Sequence, residues 1–316
     1  MSVVCFGELL IDFVPTEKGV TVGAAAQFIK AAGGAPANVA VALSRLNHAA
    51  TFLGQVGDDP FGHFLAQTLQ ASGVNIEGLR FSQEALTALA FVELSDSADR
   101  SFIFYRKPSA DMLMRPEDVA FDLIQGQRVF HFGSISLISE PGRSATLAAV
   151  EYARNNGLLI SYDPNLRMNL WPDREAAHAG LMIGFDYAQV VKVSAEELEF
   201  LTGGSDAMAL FRPQTLILAV THGAEGAALH TREEAVSVPA FAVNAVDTTG
   251  AGDAFMAALI SGVLEAGESL ADQLAEIGRF ACAAGAITAT IKGAIPALPT
   301  RQQIYGFLSR AVGDQA

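Results

Sequence analysis

The sequence predicts an α/β fold: a mainly parallel sheet with helices on both faces, plus a small β-sheet lid. Three observations carry that expectation. Short apolar runs alternate with helix-period segments along most of the chain, the pattern of a sheet covered on both sides. Two segments, about 12–32 and 87–107, break the alternation. No internal repeat, low-complexity tract or linker divides residues 1–316, so a single domain carrying a lid is expected rather than two separate units.

Val3 to Leu9 reads as the first strand. Gly33-Gly34-Ala35-Pro36 then opens a helix reaching Leu46, with Pro36 near the first helical position, where its missing N–H costs nothing. Asn38 therefore belongs to the first turn. Thr51 to Val56, Val129 to Ser134, Leu158 to Asp163, Val190 to Val193 and Leu216 to Thr221 read as further buried strands, each short and rich in β-branched or aromatic residues. The runs from Thr87 and from Arg100 to Arg106 flank Asp96-Ser-Ala-Asp99, which predicts an antiparallel hairpin with a turn-rich tip. That hairpin alternates apolar residues that a small lid cannot bury alone, so a homodimer joined through the lids is expected. The last third of the chain reads as mostly helical.

With 51% hydrophobic and 17% charged residues, against a usual charged share of about 25%, the composition is that of a folded globular chain. A formal net charge of −14 supplies no broad electrostatic footprint for nucleic acid or an anionic membrane surface, so neither is an expected partner. The apolar stretch Phe280 to Ile291 falls short of the ~18 residues of a membrane span and is rich in Ala and Gly, which predicts a packed helix. Met1 to Glu8 lacks a basic leader followed by an apolar segment, and Cys5 and Cys282 make neither a disulfide framework nor a metal cluster. The cytoplasm is the expected compartment.

The sharpest local feature is Asp247-Thr-Thr-Gly-Ala-Gly-Asp253-Ala-Phe, which runs into an apolar helix. Glycines at a helix start bring free N–H groups and the positive end of the dipole to one spot, which suits a phosphate. A carboxylate inside an anion site needs a separate task, and accepting the proton of an attacking hydroxyl is one; Asp253 is the candidate general base. Taken alone, the motif reads more readily as a carboxylate that only caps or favours the helix terminus. A dinucleotide fingerprint fails, because Phe255 stands where a third small residue is wanted. Thr221-His-Gly223-Ala-Glu-Gly226, Asp163-Pro-Asn-Leu-Arg167 and Lys192-Val-Ser194-Ala-Glu-Glu197 place polar or glycine-rich segments at further strand ends, where open α/β sheets bind ligands. His131 reads as a packing residue.

With these motifs in place, the chain resembles the ribokinase-type, or PfkB-type, carbohydrate kinases over nearly its whole length. Gly33-Gly-Ala-Pro-Ala-Asn38-Val-Ala is similar to the family's N-terminal signature and Asp247-Thr-Thr-Gly-Ala-Gly-Asp253-Ala-Phe to its C-terminal one. Phe104-Tyr-Arg-Lys-Pro-Ser-Ala-Asp-Met-Leu113, His131-Phe-Gly-Ser-Ile-Ser-Leu, Ser161-Tyr-Asp-Pro-Asn-Leu-Arg167 with Leu170-Trp-Pro, and Val191 to Gly203 are most similar to fructokinases.

The resemblance implies a ribokinase-like fold and an ATP- and Mg²⁺-dependent transfer to D-fructose giving fructose 6-phosphate. Asp12, Gly33, Gly34 and Asn38 would hold sugar hydroxyls, with Tyr105, Arg106 and Arg167 near the sugar and the transferred phosphate. Asp253 would be the base, and Gly250, Ala251 and Gly252 the anion hole. Thr221, Gly223 and Gly226 would line the ATP site, and Lys192 would lie near the phosphates. Glu197 would organise the magnesium-water shell, while Ser194 stands where many relatives carry Asn, which leaves a direct role for it open. K⁺ stimulation is also implied, through backbone oxygens near Asp247 and Thr249. Close alternatives are 2-keto-3-deoxygluconate kinase and aminoimidazole riboside kinase; a non-catalytic sugar or nucleotide sensor is the alternative of a different class.

Overall fold

The computed structural model describes residues 1–17, 19–94 and 100–313. The strands are β1 (Ser2–Phe6), β2 (Leu10–Pro15), β3 (Phe28–Gly33), β4 (Ala49–Gly57), β5 (Asn75–Ser82), β6 (Leu89–Leu94), β7 (Arg100–Tyr105), β8 (Val129–Gly133), β9 (Leu159–Asp163), β10 (Val190–Ser194), β11 (Ile217–Thr221), β12 (Gly226–His230) and β13 (Ala235–Pro239). The helices that matter below are α1 (Ala35–Arg45), α2 (Pro60–Ala71), α3 (Gly142–Asn155), α4 (Arg174–Phe185), α5 (Ala195–Thr202), α6 (Ala251–Ala266) and α7 (Leu274–Ala289).

The described residues form a nine-stranded sheet in the order β13-β12-β11-β10-β9-β8-β1-β4-β5. Its strands are parallel from β5 through β11, and β12 and β13 add antiparallel pairs at one end. Because successive side chains of a strand point to opposite faces, each apolar strand feeds two cores. Val3 and Cys5 join a core with α1, α6 and α7, whereas Val4 and Phe6 join one with α3, α4 and α5. The resulting helix–sheet–helix sandwich is the predicted α/β class.

The two segments that broke the alternation form a separate four-stranded sheet, β3-β2-β6-β7, wider than expected because β2 begins at Leu10 and β3 ends at Gly33. In its register Asp12, Ala90 and Phe104 lie in one row and Phe13, Phe91 and Ile103 in the next, so the two rows face opposite ways. The hairpin pairing of β6 with β7 is antiparallel as predicted, while its tip at 96–99 lies outside the described residues.

Some strands escaped the sequence reading. β5 pairs on one side only and is largely uncovered, and β12 and β13 are short, Ala-containing strands joined by the turn that carries Glu233 and Glu234. The first strand stops at Phe6 rather than Leu9, because Gly7 takes a left-handed φ of 151° and turns the chain toward β2.

Candidate active site

The chain runs from β1 to β4 and β5 on one side of the sheet, then to β8 through β11 on the other. Such a reversal opens a crevice beyond the carboxyl ends of the central strands. A cavity of about 240 Å³ fills it. Glu8 enters from the end of β1, Ile135 from beyond β8, Asn165 and Arg167 from beyond β9, and Lys192 from β10. Gly34, Asn38 and the start of α6, at Gly250, Gly252 and Asp253, complete the base, while Asp12, Phe102 and Phe104 of the small sheet form the roof.

Asp253 lies in the first turn of α6, buried, where Asn38 Nδ2 donates to its Oδ2 at 2.7 Å. Burial raises the Asp253 carboxyl above the ordinary range, against the Asn38 hydrogen bond and the charges of Lys192 and Arg167. That direction improves it as a proton acceptor. The other end of the amide, Asn38 Oδ1, is buried without a hydrogen-bond partner. An orphaned buried acceptor is costly unless a ligand donor satisfies it, and a sugar hydroxyl has that chemistry. Gly250 caps α6 at φ 81° with no side-chain cap; Ala251 N donates to Thr248 O at 3.2 Å, so an anion at this helix start would be met by the N–H groups of Gly252 and Asp253.

Lys192 Nζ bonds both oxygens of Asp163, at 3.2 and 3.1 Å, and both residues are buried. Burial works against the lysine's charge, yet Asp163 and Glu197 hold its ammonium above the usual range. Burial in turn raises the Asp163 carboxyl in spite of Lys192. A second cavity, of about 580 Å³, continues from the first through Asn165, Arg167 and Lys192 to Ser194, Glu196 and Glu197. Ser194 caps α5: its hydroxyl accepts from Glu197 N, and Glu197 Oε2 accepts from Ser194 N, the reciprocal capping box. Glu197 Oε1 accepts from Leu166 N at 2.7 Å, tying the loop after β9 to the same carboxylate.

A third cavity, of about 370 Å³, is lined by Thr221, Gly223, Gly226, Phe241, Val243, Ala251 and Phe255. Thr248 and Gly252 border both this apolar cavity and the first. The start of α6 therefore stands between a polar chamber and an apolar slot. Residues 1–301 match the pfkB family carbohydrate kinases. The chain belongs to that family. A fructokinase of Solanum lycopersicum is 51% identical over 313 residues, spanning 97% of this chain and 95% of its relative. The crystal structure of a Xylella fastidiosa fructokinase with bound ATP superposes with a TM-score of 0.89 at 35% identity, over 98% of this chain and 99% of that one. A Vibrio cholerae fructokinase double mutant, bound to fructose, ADP and potassium ion, gives 0.87 at 36% identity over 98% of both chains.

For a carbohydrate kinase the placement of the expected residues is informative. Asp12, Gly34, Asn38, Arg167, Lys192, Gly250, Gly252 and Asp253 line the first cavity, and Thr221, Gly223, Gly226 and Ala251 the third. Gly33 gives room to Asp12, whose carboxylate a Cβ there would strike. Thr249 and Asp247 shape the loop before α6: Asp247 Oδ1 accepts from Thr249 N and Oδ2 from Gly293 N. Two expectations need correction. Tyr105 is 61% exposed and follows the inward-facing Phe104, so strand alternation turns it away from the cavity. Arg106 is 5% exposed and does not line the cavity; its Nε donates to Asp111 Oδ2 at 2.7 Å, because a buried guanidinium needs a counter-ion. His131 packs as expected, donating to or accepting from Ser161 Oγ at 3.0 Å, and burial drives it down to about 3, which keeps the ring neutral.

Sequence reasoning missed Glu8 and Asp111. Glu8 stands two residues beyond the end of β1, and strand-end logic applied to β1 as to β9 and β10 finds it. Asp111 carries no local signal, since its meaning comes from Arg106.

Proposed function

We propose that the protein is an ATP-dependent fructokinase that transfers the γ-phosphoryl group to a terminal hydroxyl of D-fructose, giving fructose 6-phosphate. One observation carries the reading: the N-terminus of α6, with Asp253 in its first turn, divides a hydroxyl-binding chamber from an apolar, base-sized slot. Asn38 Oδ1, Asp12 and Glu8 accept sugar hydroxyls, and Asp253 takes the proton of the attacking one. The α6 N–H groups, Lys192 and Arg167 steady the charge that develops on the transferred group. Similarity to fructokinases over nearly the full chain supports fructose over the riboside and the sugar acid.

Mg²⁺ arrives with the nucleotide and neutralises phosphate charge. Among the described residues no cluster of three His, Cys, Asp or Glu side chains forms a cage, which suits an ion that keeps most of its waters; Glu197 supports that water shell. K⁺ belongs with backbone oxygens of the loop that Asp247 braces, and a relative crystallised with potassium ion supports its use. The working unit is a homodimer joined through the small sheets, and an ATP-consuming reaction of this kind belongs in the cytoplasm. Among the described residues no helix is long and apolar enough to cross a membrane.

ADP release measured with Mg-ATP against fructose, glucose, aminoimidazole riboside and 2-keto-3-deoxygluconate tests the reading. The highest kcat/KM is expected for fructose; a higher value for any other sugar overturns it.

A further inference from the structure

We propose that the sugar end of the cavity excludes acidic sugars, and that Asp111 sets this selectivity by holding the Arg106 guanidinium inside the protein, out of reach of a substrate carboxylate. The proposal rests on the sugar-kinase reading and extends it to the charge of the acceptor.

Arg106 immediately follows β7, whose Phe102 and Phe104 roof the cavity. In that position an exposed guanidinium would be a natural partner for a carboxylate on the sugar, since its paired donors match carboxylate geometry. Asp111 forecloses this. Arg106 Nε and Nη2 both bond Asp111 Oδ2, at 2.7 and 2.5 Å, and the arginine and aspartate side chains are 3% and 4% exposed. Ser109 Oγ donates to the remaining Asp111 oxygen, so both carboxylate oxygens are occupied.

Beyond Arg106 lies Glu8, which feels the guanidinium charge and lines the cavity, with Oε1 accepting from Ala35 N at 3.0 Å. The sugar end thus holds one guanidinium against the carboxyl groups of Glu8, Asp12 and Asp111. Of the cavity's own cations, Lys192 is bound to Asp163 beside α6, and Arg167 lies between the Phe102 ring of the roof, 5.3 Å from its guanidinium, and the Asp253 carboxyl whose charge it offsets. α1 spans the two ends, with Ala35 N–H on Glu8 and Asn38 on Asp253. A neutral polyol brings hydroxyl donors to Glu8 and Asp12. A sugar acid with its reacting hydroxyl at Asp253 brings an acceptor-only anion to Glu8 and Asp12, where like charges repel.

Asp111→Asn retains the shape and frees the guanidinium; Glu8→Gln removes a repelling charge from the wall; Asp111→Asn/Arg106→Gln removes the freed guanidinium again. Each full-length protein is assayed at pH 8, above the raised range of Glu8, for kcat/KM on fructose and on 2-keto-3-deoxygluconate, and 2-keto-3-deoxygluconate is titrated calorimetrically at the same pH. In Asp111→Asn the acid-to-fructose ratio of kcat/KM is expected to rise at least tenfold, with the acid's Kd falling by a similar factor. Both gains should vanish in the double variant, which a merely loosened pocket would not do. An unchanged ratio and Kd in folded Asp111→Asn overturns the proposal, as does a gain that survives in the double variant. Loss of the counter-ion beside a buried arginine carries a folding risk. If Asp111→Asn does not fold, Glu8→Gln decides: tighter binding of the acid supports the proposal and unchanged binding rejects it. A wild type inactive on every sugar defeats the kinase reading alone, because the titrations still measure acid exclusion.

Discussion

Asp253 and Glu8 are both buried carboxyl groups of one cavity, raised by the same desolvation, and their neighbours give them different work. Asp253 has cations nearby and an amide fixing one oxygen, so it is poised to take a proton. Asp253→Asn keeps the shape and removes the base. A fall in kcat of ~10²–10⁴-fold with little change in the Kd of either substrate is expected, read by steady-state kinetics and calorimetry; near-normal kcat removes Asp253 from the mechanism. Because its carboxyl is raised, the acid limb of kcat/KM should lie above the ordinary aspartate range. Glu8 is pushed up from 4.5 to about 7 by burial, which its backbone hydrogen bonds and Arg106 only partly oppose. Its folded form binds the proton more tightly than the unfolded chain does. Its contribution to stability is therefore fully present below about pH 4.5 and lost as pH rises through about 7. Glu8→Gln has no such loss, so urea unfolding at pH 5 and pH 8 should show the variant gaining on wild type at the higher pH, by up to roughly 3 kcal/mol. An equal gap at both pH values contradicts this. Asp253 and Asn38 were legible because each sits in a glycine-marked helix start. Arg106 was misread because its partner's effect, burial, has no local sequence signal.

At the scale of elements, legibility followed coverage. Strands buried on both faces, such as β1, β8 and β10, read as large apolar runs interrupted only by single residues such as His131 and Lys192, whereas β5 is broken by polar residues and β12 and β13 carry small side chains at an open end of the sheet, which leaves a weaker signal. The start of α1 was also legible, and the structure adds why glycine is needed there. Gly34 has φ 110° and ψ 118°, outside the range of L side chains, and a Cβ would strike the Glu8 carbonyl oxygen. Gly34→Ala should therefore cost about 2–4 kcal/mol, read as a lower urea midpoint, and should displace Glu8 and Asn38 together. A variant of wild-type stability would mean that the β1–α1 junction relaxes freely.

On the scale of the whole molecule, the small sheet is both the roof of the cavity and an uncovered surface. Its inward row carries Asp12 and Phe104, and Phe13 of the outward row packs on Phe61 of α2. α2 covers this outward face as far as Lys30 of β3, whose ammonium lies 3.6 Å from the centroid of the Phe64 ring, while on the outer strand β7 Ile103 is 41% and Tyr105 61% exposed. Large apolar side chains on the outer strands of a small sheet favour a second copy of the same sheet as cover, since a twofold contact repeats the same patch on both partners. A particle of twice 33.2 kDa is expected by light scattering at assay concentrations. Ile103→Asp places a charge in the proposed contact and should shift the mass toward the monomer. Docked sheets would also steady the roof, so that variant should raise KM for fructose more than KM for ATP, because Phe102 and Phe104 roof the first cavity and do not line the third. A wild-type protein that is monomeric and fully active rejects the dimer. A dimer that Ile103→Asp leaves intact, with both KM values unchanged, moves the contact to another surface.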